Sequence, residues 1–285
     1  MESALNAIFE VLSFGAIIVL VVLGLGVIAS MMGIFNFAHG EFVLLGAFTT
    51  YLVYKQGLPV WLGMLAAPIV LGAIGLVLER TVIRRFYAAP IVAMLGTYAL
   101  GLVIRETVRG LIGGLYLSIP EPVVGSYVVG GVQLSKWRLI IIVITALVMT
   151  ASYLLLTRTA FGLRVRASLE NPALARASGI STDTIYAVTF AFGAALAGLA
   201  GALVVPIFSL FADLGIRFLI QGFLAVMLGG VGTFEGPVAG AGLIGTLSAA
   251  LPWAVSPVLA DVLVFVIAIV IVKLRPGGLI NARRV

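Results

Sequence analysis

The chain has 285 residues, of which 62% are hydrophobic and 10% are charged, with a net charge of +6. Water-soluble domains carry about 25% charged residues, so this composition excludes an ordinary soluble protein and indicates a chain whose solvent is lipid. The basic residues lie mostly at the ends of apolar runs, which favours a role in membrane orientation over nucleic-acid binding. The absence of cysteine excludes disulfides and thiolate metal sites.

Apolar runs follow one another along most of the chain. A membrane-spanning helix needs about 20 apolar residues, and candidate runs lie at about 11–32, 40–55, 58–78, 88–104, 138–157, 184–206, 217–232, 237–254 and 257–274. No basic residue precedes the first run, which is typical of a retained helix and not of a cleaved signal. The second and seventh runs are short, as broken or re-entrant helices are. We predict an all-α integral membrane protein with eight to ten transmembrane helices, forming one domain over residues 1–285.

Basic residues mark the cytoplasmic side of such a protein. They cluster after the third run, in the polar segment 158–183 and at the C-terminus: Arg80, Arg84, Arg85, Arg158, Arg164, Arg166, Arg176, Lys273, Arg275, Arg283 and Arg284. This places the C-terminus in the cytoplasm and the N-terminus outside. The segment 105–137 must then be an external loop, where Arg105 and Arg109 weaken the rule. Its Gly, Pro and Ser residues predict a small hairpin or a re-entrant cap.

The stretch GIFNFAHGEFVLLGAF at 33–48 places polar side chains inside an apolar region, namely Asn36, His39 and Glu41. Polar residues within a membrane are expensive and usually face a cavity or a partner. The glycines beside them permit a helix break, so we consider the three as candidates for a translocation path. A helix-packing hydrogen bond or an interfacial loop is the alternative. One histidine without cysteine excludes a zinc site.

The polar segment 158–183 separates two long apolar runs and contains RVRASLENPALARASGI at 164–180. The pair Asn171–Pro172 predicts a helix start, and Gly179 suits the C-cap. The segment therefore predicts a short helix that docks a soluble partner, with a solvated loop as the alternative. The residues expected to make the contact are Glu170, Asn171, Pro172, Ala175, Arg176 and Gly179.

Two glycine-rich segments come next. Small residues recur every four positions in 190–206, which predicts close helix packing through Gly193, Ala197, Gly198 and Gly201. In 227–245 a turn precedes a helix start, where a carboxylate suits the positive helix end. This turn is a further candidate for the path, with tight packing as the alternative for most of its glycines: Gly229, Gly230, Gly232, Glu235 and Gly236.

Motifs of catalysis are missing. The sequence contains no Walker A motif, no HExxH and no GxSxG. His39 and Glu41 are two positions apart and point to different sides of a helix, which argues against an intramembrane enzyme. We therefore expect a transport protein that is not an enzyme, and either its energy comes from a partner or its transport is passive.

Five segments in this order resemble the permease subunits of branched-chain amino acid-type bacterial ABC importers, a group that also contains urea and short-chain amide permeases. They are NFAHGEF at 36–42 with LGAF, RASLENPALARASGI at 166–180, FAFGAALAGLAGAL, LGGVGTFEGPVAGAGLIG, and LRPGGLI at 274–280. The resemblance covers nearly the whole chain.

The resemblance implies a subunit of the bacterial inner membrane with three kinds of partner: a second related permease, two ATP-binding cassette subunits and a periplasmic solute-binding protein. ATP is then hydrolysed by the partners, and this chain binds neither a cofactor nor nucleic acid. The segment 158–183 would couple the ATPases to the helices. The alternatives are a stand-alone channel or secondary carrier for a small polar solute, and a sugar-type ABC permease. The solute stays open among branched-chain or other amino acids, urea and small amides.

Overall fold

The computed structural model describes residues 2–33, 35–87 and 89–280; Arg283 and Arg284 of the predicted basic C-terminus lie outside these ranges. Within them the fold is helical. Helices satisfy their own backbone hydrogen bonds, which lipid cannot do. The helices are α1 (Glu2–Met32), α2 (His39–Lys55), α3 (Val60–Thr81), α4 (Pro90–Ile112), α5 (Lys136–Arg158), α6 (Ala160–Glu170), α7 (Pro172–Ala177), α8 (Thr182–Phe208), α9 (Leu214–Gly229), α10 (Glu235–Ala250) and α11 (Pro257–Leu274), with short 3-10 turns at Ile83–Phe86 and Leu251–Trp253.

The described residues confirm the predicted all-α membrane architecture. Six helices are long and apolar enough to cross a membrane alone: α1, α3, α4, α5, α8 and α11. Three shorter helices, α2, α9 and α10, have 16 or 17 residues each. Together they correspond to the nine apolar runs of the sequence.

Two predicted boundaries were wrong. Helix α4 continues to Ile112, so Arg105 and Arg109 lie in a helix and not in an external loop. The helix can continue because both guanidinium groups are paired with carboxylates. The segment 158–183 contains two helices, α6 and α7, where one was expected. Thr159 caps α6 by accepting a hydrogen bond from the N–H of Gly162, at 3.3 Å.

The loop between α4 and α5 forms the hairpin that was one of its two predicted structures. Strands β1 (Ser126–Val129) and β2 (Val132–Ser135) pair antiparallel. Gly130 and Gly131 connect them with φ of 58° and 83°, which suits a two-residue hairpin turn. We call this side of the bundle the hairpin end. The opposite side, which carries α6, α7 and the turn Ile83–Phe86, is the arginine-rich end.

Helix α8 lies at the centre of the bundle, and its small residues admit three neighbouring helices. Gly193 contacts Ile28 of α1, and Gly201 contacts the backbone of Val43 in α2. Gly198 lies against Leu71 of α3, where an added Cβ would be 2.7 Å from the Leu71 Cβ. Such close approach supplies the van der Waals contact that holds helices together in lipid.

Further small residues bring α1 and α2 onto this core. Ala197 is buried, and its backbone nitrogen would lie 3.2 Å from a Cβ on Gly24 of α1. The backbones of Gly46 and Gly198 also face each other too closely for a side chain on Gly46. All four residues expected to pack helices therefore lie at helix contacts.

Helix α2 starts inside the bundle. Its first residue, His39, lies beside Val21, near the middle of α1. Gly40 contacts the backbone of Gly215 at the start of α9. The two short helices thus begin next to each other in the interior, as expected for broken helices whose exposed backbone is covered by protein.

The substitution Gly198→Leu should destabilise the bundle. Its side chain would overlap Leu71 and the carbonyl of Ala67, the latter 2.9 Å from the new Cβ. Overpacking of this kind lowers the free energy of unfolding by about 1–3 kcal/mol. We expect a lower midpoint of thermal unfolding in detergent, measured by the loss of the monodisperse elution peak after heating.

Gly242→Leu is the matched control, because a Cβ on Gly242 in α10 meets nothing within 4 Å. It should unfold at the wild-type temperature. Equal stability of Gly198→Leu and the wild type would contradict the close packing of α3 on α8.

Candidate functional site

The polar residues at the start of α2 are buried and face different neighbours. The Asn36 side-chain oxygen accepts a hydrogen bond from the N–H of Ala38, at 3.0 Å. The His39 Nε2 lies 3.0 Å from the carbonyl oxygen of Val21 in α1. Glu41 points to α4 instead. His39 and Glu41 are therefore separated as their spacing predicted, and the His39 contact has the geometry of the helix-packing alternative.

Glu41 forms an ion pair inside the bundle. The Arg105 Nε donates to its Oε1 at 3.0 Å, and the Arg105 Nη2 donates to the same oxygen. One turn further along α4, the Arg109 Nη2 lies 2.7 Å from the Asp213 Oδ1, in the loop before α9. Glu106 adds a carboxylate 3.2 Å from Arg109. We call these five residues the charge ladder.

The ladder is the part of the site that sequence analysis missed, apart from Glu41. The available signal was the spacing of Arg105 and Arg109, which places both on one face of a helix. That signal was not used because the helix was expected to end near residue 104. The apolar run does end there, but the helix extends to Ile112.

Polar contacts hold α4 to the bundle. Besides its ion pairs, the Thr97 hydroxyl accepts a hydrogen bond from the N–H of Phe37, at 3.1 Å. Gly101 lets Glu41 approach, since a Cβ there would be 3.3 Å from the Glu41 Cγ. Only 22% of the spanning window of α4 is buried, against 72% for α8. The position of α4 therefore depends on few contacts, and several of them are polar.

The second feature lies at the arginine-rich end, where α7 starts at the predicted position. Asn171 caps it, with its side-chain oxygen accepting from the N–H of Leu174 at 3.0 Å, and Pro172 is the first helical residue. Gly179 follows the helix with a φ of 81°. The N–H of Ile180 donates to the carbonyl of Ala175 at 3.0 Å, which closes the last turn.

Helices α6 and α7 enclose a groove, which we call the coupling groove. It is lined by Ala167, Glu170, Asn171, Leu174, Ala175, Ser178 and Ile180. Ala175 is buried and belongs to its floor, while Glu170 and Arg176 are exposed. Leu174 is 63% exposed, although it sits in a polar segment. Single exposed apolar side chains are common on protein surfaces, but Leu174 differs in that it borders a groove within a polar segment.

The two helices are anchored to their neighbours. The Tyr186 hydroxyl of α8 donates to the carbonyl of Ser168 in α6, at 2.8 Å. The Arg176 Nη1 lies 3.4 Å from the Thr182 hydroxyl at the start of α8. Arg166 donates to the carbonyl of Leu156 in α5. Helices α6 and α7 are therefore fastened to α5 and α8 by these hydrogen bonds.

A buried carboxylate extends this network to α3. The Tyr87 hydroxyl donates to the Glu79 Oε1 at 2.6 Å, and its ring packs edge-on against Tyr186, with ring centroids 5.4 Å apart. Burial and the adjacent Glu79 carboxylate raise the pKa of Tyr87. Arg84 connects Glu79 to Asp183, with nitrogen–oxygen distances of 3.7 and 3.3 Å. The loop between α3 and α4 is thus joined to the start of α8.

The glycine-rich turn between α9 and α10 also lies at the arginine-rich end. Gly229 and Gly236 are in backbone contact, and Gly230 contacts Gly277 of the C-terminal segment. Leu279 and Ile280 donate backbone hydrogen bonds to the carbonyls of Leu228 and Gly229, at 2.8 and 3.1 Å. The C-terminal segment therefore ties down the end of α9, while Glu235 is exposed at the start of α10.

A cavity of about 480 Å³ opens beside this turn. Its walls include Gly230, Gly232, Phe35, Leu169 of α6 and Gly277. The two sets of predicted path residues are not brought into one pocket. Gly230 and Gly232 of the turn line the cavity, whereas Asn36, His39 and Glu41 are buried and do not line it. Among the residues that the structure describes, no group of His, Asp or Glu side chains is placed to hold a metal ion.

Known proteins resemble this chain over most of its length. A sequence profile described as the permease component of the branched-chain amino acid transport system matches residues 7–272. The high-affinity branched-chain amino acid transport system permease protein BraD of Pseudomonas aeruginosa is 30% identical over 287 residues, which cover 95% of this chain and 93% of BraD.

Two further relatives agree with it. The permease protein LivH of the Salmonella typhimurium high-affinity branched-chain amino acid system is 25% identical over 293 residues, 97% of this chain and 95% of LivH. A probable branched-chain amino acid transport permease of Methanocaldococcus jannaschii is 28% identical over 245 residues, 81% of this chain and 76% of that protein. With the profile extending from within α1 to within α11, the chain belongs to the family of branched-chain amino acid transport system permease components.

Proposed function

We propose that this chain is the transmembrane permease subunit of an ATP-driven importer and that it carries branched-chain amino acids across a bacterial inner membrane. The coupling groove is the observation that carries the ATP-driven part. It presents an exposed leucine outside the apolar bundle, on helices fastened to the central α8. The sequence has no Walker A motif, so the energy comes from partner subunits. The solute follows from the relatives BraD and LivH, which are permease proteins of high-affinity branched-chain amino acid transport systems.

The arginine-rich end faces the cytoplasm in this proposal. Basic residues concentrate there, as the positive-inside rule requires. Basic residues also occur at the hairpin end, and three of them have a carboxylate partner. Arg138 lies 2.6 Å from Glu10, and Arg109 and Arg105 are paired within the charge ladder. The C-terminal segment, which contacts the α9–α10 turn, is then cytoplasmic, and the β-hairpin is periplasmic.

The subunits follow from this orientation. Two ATP-binding cassette subunits dock at the cytoplasmic side, one of them in the coupling groove of this chain. A second related permease completes the membrane part, and a periplasmic solute-binding protein docks at the hairpin end. Closure of the ATPases moves α6 and α7, and the contacts of Tyr186 and Arg176 pass this motion to α8. Coupling then depends on two alternative arrangements of the helices.

The solute path runs past the broken start of α2 and leaves at the glycine-rich turn. Glu41 and its neighbours Asn36 and His39 lie at the helix discontinuity, where transporters commonly form solute sites near the middle of the bilayer. The cavity beside Gly230 and Gly232 forms the cytoplasmic exit. The other members of the turn, Gly229, Glu235 and Gly236, are not among the residues that line this cavity.

Docking is tested by Leu174→Asp. A carboxylate in place of the exposed leucine would be buried without a partner under the ATPase, and each tenfold loss of affinity corresponds to about 1.4 kcal/mol. We expect about tenfold less ATPase to copurify with the tagged permease. Glu170→Ala and Arg176→Ala should each reduce it by a smaller factor, and all three variants should elute as intact membrane subunits.

Arg85→Ala is the control, since it removes an exposed arginine at the same end but outside the groove. It should retain the ATPase. Wild-type recovery of the ATPase with Leu174→Asp, Glu170→Ala and Arg176→Ala would remove the groove from the docking site.

Orientation is tested by single cysteines, because the natural chain has none to interfere. Val128→Cys lies on the exposed hairpin, and Ser178→Cys lies on the exposed rim of the coupling groove. A membrane-impermeant maleimide added to intact spheroplasts should label Val128→Cys and leave Ser178→Cys unlabelled.

When the permease is expressed without the ATPases, both positions should react equally well after detergent solubilisation, which controls for accessibility. The reverse pattern in spheroplasts, with Ser178→Cys labelled from outside, would invert the proposed topology.

A further inference from the structure

We propose that the charge ladder binds the zwitterionic head group of an α-amino acid and leads it from the hairpin end to the broken start of α2. This inference rests on the proposed function and narrows its solute to a molecule with one ammonium and one carboxylate group. The ladder contains both signs of charge in alternation: Asp213, Arg109 and Glu106 on the outside, and Arg105 and Glu41 within.

The ladder runs from the surface into the bundle. Its outer pair is half exposed, with 40% of the Arg109 side chain and 46% of the Asp213 side chain accessible. In the inner pair the exposed fractions fall to 12% for Arg105 and 0% for Glu41. Arg105 and Arg109 are four residues apart, so they lie on the same face of α4. A solute that follows this face passes from water to the interior beside one ion pair after another.

The innermost carboxylate has one oxygen left over. Glu41 uses Oε1 for Arg105, while its buried Oε2 has no hydrogen-bond partner among the residues that the structure describes. A buried carboxylate oxygen without a partner is costly. The oxygen is packed against the backbone of Gly215, where an added Cβ would lie 2.5 Å from it, and Gly101 lies beside the Glu41 side chain. An ammonium group would satisfy this oxygen, and it reaches the oxygen when α9 moves away from the start of α2.

Exchange of ion pairs explains why a zwitterion suits this route. Moving an unpaired charge into a membrane is expensive, and breaking a buried pair leaves an uncompensated charge. An amino acid offers an ammonium to Glu41 and a carboxylate to Arg105, so both partners stay paired while the solute is bound. A cation or an anion would satisfy only one of them. Urea and neutral amides carry no charge for either, so the ladder favours amino acids over them.

The competing explanation is that the ion pairs only hold α4 in place. Variants of the outer pair can distinguish the two explanations. An exposed ion pair contributes only about 0–1 kcal/mol to the stability of the folded protein. Its removal should therefore leave α4 docked. The inner pair is buried, and its neutral replacement Glu41→Gln with Arg105→Gln removes both charges together, so no unpaired charge remains.

The experiment uses the complete importer with its binding protein, reconstituted in liposomes, and measures ATP-dependent uptake of labelled L-leucine. The doubly neutral inner variant should lower the maximal uptake rate about tenfold or more, which corresponds to about 1.4 kcal/mol. The outer variant, Arg109→Gln with Asp213→Asn, should lower it about threefold. In both, the concentration for half-maximal uptake should stay that of the binding protein. Glu41→Asp with Arg105→Lys, which keeps the charges, should transport better than the neutral pair.

The control is Glu10→Gln with Arg138→Gln, which neutralises a partly exposed ion pair between α1 and α5 outside the ladder. It should transport leucine at the wild-type rate. Wild-type uptake by the outer variant would contradict the proposed role of the charge ladder in binding the solute. This result would be decisive even if the inner variant failed to assemble. Wild-type uptake by an assembled inner variant would overturn it as well.

Uptake measurements with the wild-type importer distinguish this inference from the proposed function on which it rests. ATP-dependent uptake of urea without uptake of leucine would overturn the ladder and leave an ATP-driven importer standing. Absence of any ATP-dependent uptake by the complete complex would overturn both.

Discussion

The fold depends on backbone-close contacts along α8. Lipid gives helices no hydrophobic reason to associate, so their contact must come from close packing. Gly193, Gly198 and Gly201 bring α1, α3 and α2 against a single central helix. The same packing permits helices to begin inside the bundle. The start of α2 and the start of α9 expose backbone groups that lipid could not satisfy, and these groups are covered because Gly40 and Gly215 meet there.

Charge inside such a bundle must be paired, and this explains an apparent conflict in the sequence. Arg105 and Arg109 stand on the side that the positive-inside rule assigns to the exterior. The rule concerns basic residues in loops, whereas both of these lie in α4 and have carboxylate partners, Glu41 and Asp213. Because the two arginines lie within a helix and not in a connecting loop, they carry less weight in the assignment of orientation than loop arginines do. The arginines that remain informative are those in the α3–α4 connection and in the segment 158–183.

Local signals in the sequence were sufficient to predict much of this architecture. The helical class and the approximate spans follow from apolar runs, and the start of α7 follows from Asn171 and Pro172, because a cap and a first-turn proline act within a few residues. The charge ladder could not be found this way. Glu41 and Arg105 are 64 residues apart, and their pairing is decided by how α4 packs on α2. Helix α6 was missed because its arginines resemble those of a solvated loop, while the contacts that stabilise it, to Leu156 and Tyr186, are tertiary.

The distribution of contacts separates a rigid part from a movable one. Closely packed helices resist deformation and shift as bodies, so a displacement that Tyr186 and Arg176 deliver to α8 is carried to α1, α2 and α3 together. Helix α4 is different. It touches the core through buried apolar residues, such as Val108 and Ile112, and through Thr97 and its ion pairs, and most of its surface faces outward. Ion pairs and hydrogen bonds can exchange partners without loss of packing, which interlocked side chains cannot do. On the proposed route, a charged solute replaces these polar contacts, while the buried apolar side chains of α4 keep the helix on the bundle.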